Sequence, residues 1–129
     1  MIDQKVVVLA TGGTIAMKYD PKLKGLVPAC TGEDLAAAVP GLGEVAPLEF
    51  IQFSNIASPA MTPQTMWDLH VRLEKVLARD DVAGAIVTHG TDTLEETSYF
   101  LDLLHKNLKP VVMTAAMRGA DEASPDGPM

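Results

Sequence analysis

Short β-branched runs alternating with amphipathic stretches predict an α/β fold, with three layers built around a mostly parallel sheet. Two observations carry this. Residues 5–10 (KVVVLA), 83–88 (AGAIVT) and 110–114 (PVVMT) are apolar on both faces, as strands buried between two helical layers must be. Between them lie segments of helical period, long enough for the right-handed crossovers that bring each strand back parallel.

Each element has its own justification. The first strand, 5–10, is broken by the Gly12-Gly13 pair. Residues 17–28 turn polar and flexible, with Pro21, Gly25, Pro28 and three lysines, and read as a mobile surface loop or a weak hairpin. Thr31 caps a short helix over 32–39, with Asp34 favourable in its first turn and Pro40-Gly41 as its stop. Residues 46–53 (APLEFIQF) alternate as a second strand, which Pro47 assigns to a sheet edge or a strand start. Thr62-Pro63 is an N-cap followed by proline at the first helical position, opening a helix to about Arg79. Met66, His70, Leu73 and Leu77 share its apolar face, with Trp67 and Val71 beside them; this stripe is core packing. After the third strand, 83–88, Thr93 and Glu96 form a capping box for a helix ending near Asn107. The strand at 110–114 follows. Ser124-Pro125-Asp126-Gly127-Pro128 then reads as a helix start, so the chain reads as truncated at its carboxyl end.

Composition narrows the function. At 129 residues the chain is one domain, large enough to bury a core without disulfides or metal. A net charge of −7, with only 10 scattered Lys and Arg, argues against a nucleic-acid surface. No apolar run is long enough to span a membrane, and the first residues lack the pattern of a signal peptide. Cys30 is the only cysteine, which points to a reducing cytoplasm; it has neither partner nor flanking cation to activate it. His70 and His105 lack a second ligand at metal spacing, so neither reads as a metal site.

Chemistry concentrates in two hydroxyl-rich turns, each following a buried strand: Ala10-Thr11-Gly12-Gly13-Thr14-Ile15-Ala16 and His89-Gly90-Thr91-Asp92-Thr93-Leu94-Glu95-Glu96-Thr97. Strand carboxyl ends are where ligands bind in open α/β sheets. The Gly-Gly pair permits close approach of a ligand to main-chain N–H groups, and a purely structural turn explains it equally well. It presents Thr11 and Thr14, and it matches neither common phosphate fingerprint. In the second turn Glu95 and Glu96 are explained by the helix dipole. Asp92 is not needed for capping, and beside hydroxyls it suits a ligand's ammonium group. His89 reads as packed in the core at least as readily as catalytic.

Both turns resemble motifs of the bacterial-type L-asparaginase and glutaminase-asparaginase family. So do Asn55-Ile56-Ala57-Ser58, Ser98-Tyr99-Phe100-Leu101-Asp102-Leu103, residues 110–118 (PVVMTAAMR) and Asp126-Gly127-Pro128. The resemblance covers nearly the whole chain. It implies hydrolysis of L-asparagine, or of L-glutamine, through a threonine acyl-enzyme. Thr14 matches the nucleophile, Thr91 the second catalytic threonine, Asp92 the holder of the α-ammonium and Ser58 that of the α-carboxylate. Ala116 matches a carbonyl lining the amide pocket. Tyr19, the loop tyrosine, is matched to the nucleophile's partner, although it lies nearer the first motif than is usual. Pro59 and Ala60 stand where many members carry a polar ligand. The family's catalytic lysine and second domain would lie beyond Met129.

The expectation is therefore a flavodoxin-like, amino-terminal catalytic domain over 1–129, belonging to a cytoplasmic amidohydrolase. It needs no metal or cofactor and binds neither nucleic acid nor membrane. The resemblance implies a homo-oligomer, a tetramer built from dimers, and residues 17–28 should act as a lid. Two readings compete with it. One is a non-catalytic amino-acid-binding or assembly domain; the other is the asparaginase-like subunit of a tRNA-dependent amidotransferase.

Overall fold

The computed structural model describes residues 4–39, 41–124 and 126–127. Its elements are β1 (Lys5–Gly12), β2 (Met17–Asp20), β3 (Gly25–Pro28), α1 (Gly32–Ala37), α2 (Leu42–Val45), β4 (Leu48–Ile56), α3 (Pro63–Leu77), β5 (Val82–Thr88), α4 (Leu94–Leu104) and β6 (Val111–Thr114). The main sheet runs β4-β1-β5-β6, with every neighbouring pair parallel. Counting only these four strands, the order is 2-1-3-4, the start of the flavodoxin order.

Alternation along the strands sorts the sheet into two faces. Val7, Leu9, Ala85 and Val87 pack with Leu69, Leu73, Val76 and Leu77 of α3 and Leu101 of α4. Val8 and Ala10 point the other way and are also buried. α1 bridges β1 and β4, a crossover running opposite in direction to those through α3 and α4, so right-handedness puts it over that second face. On β6 the second face is open, and Val112 is exposed.

Local chemistry sets most boundaries. Thr62 Oγ1 accepts the N–H of Thr65 at 3.1 Å, with Pro63 in the first turn of α3. Thr31 and Asp34 cap α1 reciprocally, Asp34 N–H to Thr31 Oγ1 at 3.2 Å and Thr31 N–H to Asp34 Oδ2 at 2.8 Å. These bonds favour the ionised carboxyl, so the pKa of Asp34 falls below the usual range. The stop expected at Pro40 lies outside the described residues, while Gly41 takes φ +80° at the start of α2. β4 is an edge strand with Pro47 immediately before it, so both readings of that proline hold.

Of the two readings of residues 17–28, the hairpin is the one that forms, antiparallel, pairing Met17 with Pro28 through Asp20 with Gly25. Three other expectations need correction. The capping box at Thr93 does not form: its hydroxyl donates instead to the carbonyl of Ser58 at 2.9 Å, and a 3-10 turn over Thr91–Thr93 leads into α4. α4 also ends at Leu104, because His105 turns extended and its ring bonds the Lys109 carbonyl. In α3 the buried stripe is Met66, Leu69, Leu73, Val76 and Leu77, while Trp67 faces outward against His70. The helix start expected over 124–128 falls partly outside the described residues, at 125 and 128; the Asp126 carboxylate accepts the N–H groups of Met117 and Arg118. Those bonds lower its pKa.

Candidate active site

Three turns meet at the carboxyl ends of β1, β4 and β5. β4 carries extra residues opposite the end of β1, since Ala10 pairs with Gln52 but Gly12 with Ile56. At Gly12, φ is +109° and a Cβ would lie 2.5 Å from the Ile56 carbonyl oxygen; at Gly13, φ is +83° and a Cβ would lie 2.3 Å from Gly90 Cα. Gly13 N–H donates to the Ile56 carbonyl at 3.0 Å. The Gly-Gly pair is therefore explained by backbone-to-backbone approach, which no side chain permits. This contact sets the residue before Thr14 against the residue before Thr91.

Ser58 supplies the third turn. It is buried in a short 3-10 turn after β4. Its Oγ accepts the Asp92 N–H at 3.1 Å and donates to Asp92 Oδ2 at 3.0 Å, a two-way clamp on one residue. A Cβ on Gly90 would meet Ser58 Oγ at 2.5 Å, so the second glycine turn is also built for close approach. Asp92 itself is an exposed residue.

Ala116, on the loop after β6, is buried with Ile15, Ala16 and Cys30, and a Cβ on Gly127 would press on both Ile15 and Ala116. Contacts thus gather the turns that carry Thr14, Ser58, Thr91, Asp92 and Ala116. Tyr19 stands apart. It lies on β2 with its side chain 54% exposed, and its backbone N–H donates to Asp121 Oδ2 at 2.9 Å. Thr11 drops out as a ligand-facing hydroxyl: it is buried and donates to the Thr88 carbonyl at 2.9 Å, stitching β1 to β5.

Sequence reasoning missed Asp121, which is 102 positions from Tyr19 and carries no local signal. A groove of about 740 Å³ lies elsewhere, between α3 and α4, lined by His70, Glu74, Glu95, Asp102 and His105, with Thr91 at its rim. Among the described residues no group of three or more His, Cys, Asp or Glu could hold a metal ion. No helix of the described residues is long and apolar enough to cross a membrane.

Known proteins are similar to this chain. Residues 5–129 match the family model described as "Asparaginase, N-terminal". "L-asparaginase 2-3" of Saccharomyces cerevisiae is 45% identical over 124 residues, covering 95% of this chain and 34% of that protein. "L-asparaginase 2" of Bacillus subtilis is 42% identical over 127 residues, covering 94% and 33%. "Glutaminase-asparaginase" of Pseudomonas fluorescens is 38% identical over 131 residues, covering 95% and 34%. A probable cytoplasmic L-asparaginase from Campylobacter jejuni superposes with a TM-score of 0.85 at 38% identity, covering 97% of this chain and 36% of that one. The chain spans about a third of the length of these relatives. With the sheet order, the paired glycine turns and the family match in agreement, this chain belongs to the asparaginase family, in the part its model describes as amino-terminal.

Proposed function

We propose that this chain is the amino-terminal catalytic domain of an amidohydrolase that converts L-asparagine to L-aspartate and ammonia. The observation that carries the reading is the Gly13–Gly90 contact, which sets the turns bearing Thr14 and Thr91 side by side with the Ser58–Asp92 clamp next to them. In this reading the Asp92 carboxylate takes the substrate's α-ammonium and Ser58 its α-carboxylate. A charge-assisted bond at one end and a hydroxyl at the other fix the amino acid's orientation. Thr14 Oγ attacks the side-chain amide carbon and forms an ester, and the amide nitrogen leaves as ammonia after taking up a proton. Water then cleaves the ester, releasing aspartate and restoring Thr14. A threonine hydroxyl is a poor nucleophile until a neighbour accepts its proton. Tyr19 is assigned to that partnership in the first step and Thr91 to water activation in the second. The carbonyl of Ala116 lines the amide pocket, and backbone N–H groups of the two turns face the developing oxyanion.

The reading extends to L-glutamine as an alternative substrate, to a cytoplasmic setting and to assembly as a homo-oligomer built from dimers. Tyr99 and Leu103, exposed one turn apart on α4, support a surface used in assembly.

The test is ammonia release from L-asparagine, measured beside calorimetric binding of L-aspartate. Thr14→Val is expected to lower release by about 10³-fold or more while aspartate still binds. Unchanged release in that variant removes Thr14 as nucleophile. Aspartate binding without turnover in the unaltered protein favours the non-catalytic amino-acid-binding reading. A dependence on a partner synthase subunit favours the amidotransferase.

A further inference from the structure

We propose that His89 is a positioning residue for the Thr91–Asp92 turn, acting through the hydrogen bond from its Nδ1–H to the Gly90 carbonyl; this rests on the amidohydrolase reading above.

His89 is fully buried at the end of β5. Its backbone N–H donates to the Thr114 carbonyl at 2.9 Å, which holds it against the end of β6. Its Nδ1 lies 2.7 Å from the Gly90 carbonyl oxygen. A carbonyl only accepts, so the proton sits on Nδ1 and the tautomer is fixed. That leaves the Nε2 lone pair buried without a hydrogen-bond partner among the described residues. An unpaired buried acceptor is a cost that leucine of similar volume would avoid, so packing alone does not account for histidine here.

The Nδ1 bond accounts for it. The Gly90 carbonyl defines the peptide plane that joins Gly90 to Thr91, and rotation of that plane would swing Thr91 away from the Gly13 turn. Gly90 has no side chain to resist such rotation, since the contacts with Gly13 and Ser58 leave no room for one. The turn is therefore held at both ends, by His89 before Thr91 and by the Ser58 clamp on Asp92 after it.

The experiment compares His89→Asn, His89→Gln and His89→Leu in the full chain. The Asn amide nitrogen falls near the Nδ1 position, whereas the Gln amide nitrogen falls near Nε2. Asn is expected to stay within a few-fold of wild-type kcat for ammonia release. Gln and Leu are expected to lose about 10²-fold in kcat with KM little changed, the signature of misplaced reacting groups. Independently of turnover, nitrogen-15 spectra of the wild-type imidazole should show the Nδ1-protonated tautomer. Amide exchange at Thr91 should rise in Gln but not in Asn. Leu matching wild type, Asn falling as far as Gln, or an Nε2-protonated ring would each overturn the proposal. If wild type neither binds aspartate nor releases ammonia, the amidohydrolase reading fails, while tautomer and exchange still decide the positioning role. If Leu does not fold, the Asn–Gln pair decides.

Discussion

Gly13 shows what a single residue contributes at this site. Its φ of +83° is a conformation that side chains rarely adopt, and a Cβ there would collide with the backbone of Gly90. Gly13→Ala should therefore push the two turns apart as well as strain the backbone, costing about 1–3 kcal/mol in urea unfolding. L-Aspartate binding should fall with it, and an unchanged midpoint together with unchanged affinity would mean the contact is not formed. The sequence marked this position as a glycine turn but left a ligand cradle and a structural turn equally open. Only the partner segment, 77 residues away, shows that the glycines serve backbone approach. Ser58 makes the complementary case. Ser58→Ala removes both bonds to Asp92, and aspartate affinity should weaken about 10-fold, the equivalent of one net hydrogen bond. Retention of full affinity in calorimetry would show that Asp92 holds its place without the clamp.

At the scale of elements, the sequence was readable wherever local chemistry decided the outcome. Thr62-Pro63 opens α3 where expected, and Thr31 with Asp34 caps α1, because each bond closes within three residues. Tertiary competition made the rest illegible. Thr93 has the sequence of a cap, yet the Ser58 carbonyl takes its hydroxyl. Trp67 sits beside the apolar stripe of α3 but faces outward, since Leu69 and Val76 fill the space over the sheet. The β2–β3 hairpin is the element whose behaviour matters most. Tyr19 is fastened by its N–H to Asp121, and the Ala120 N–H reaches the Met17 carbonyl at 3.1 Å, so the loop after β6 holds one strand of the hairpin from outside. If this hairpin is the lid over the site, Asp121→Ala should loosen it: hydrogen exchange at Tyr19 should speed up severalfold while the β1 and β5 amides keep their protection. Equal exchange in variant and wild type would remove Asp121 as the fastening.

Across the whole molecule, the two ends of the sheet do different work. The carboxyl end gathers the turns that carry the candidate site, while the amino end carries a charge cluster that closes the fold beneath it. Arg79, just past α3, makes paired bonds to Glu49 of β4 at 2.7 and 2.8 Å and two more to Asp81 at 3.0 and 2.9 Å. Lys5 of β1 bridges the same two carboxylates at 3.1 and 3.2 Å, and Lys109 Nζ donates to the Arg79 carbonyl. Segments leading into all four parallel strands are thereby joined. Arg79 holds the Glu49 carboxyl at about 2, down from 4.5, with burial opposing and Lys5 assisting. The Arg79 guanidinium and then Lys5 likewise hold Asp81 at about 2, down from 3.8. Both folded-state values lie below the unfolded ones, so the folded protein binds fewer protons than the unfolded chain across this interval. The stabilisation is complete above about pH 4.5 and is lost as pH falls towards 2. The thermal midpoint should drop through that window, and Glu49→Gln should flatten the drop by removing one of the two titrating partners. Because these side chains are partly exposed, molar salt should shrink the difference between wild type and variant. An identical pH slope in the two proteins at low salt would show that the amino-end cluster does not couple protonation to folding.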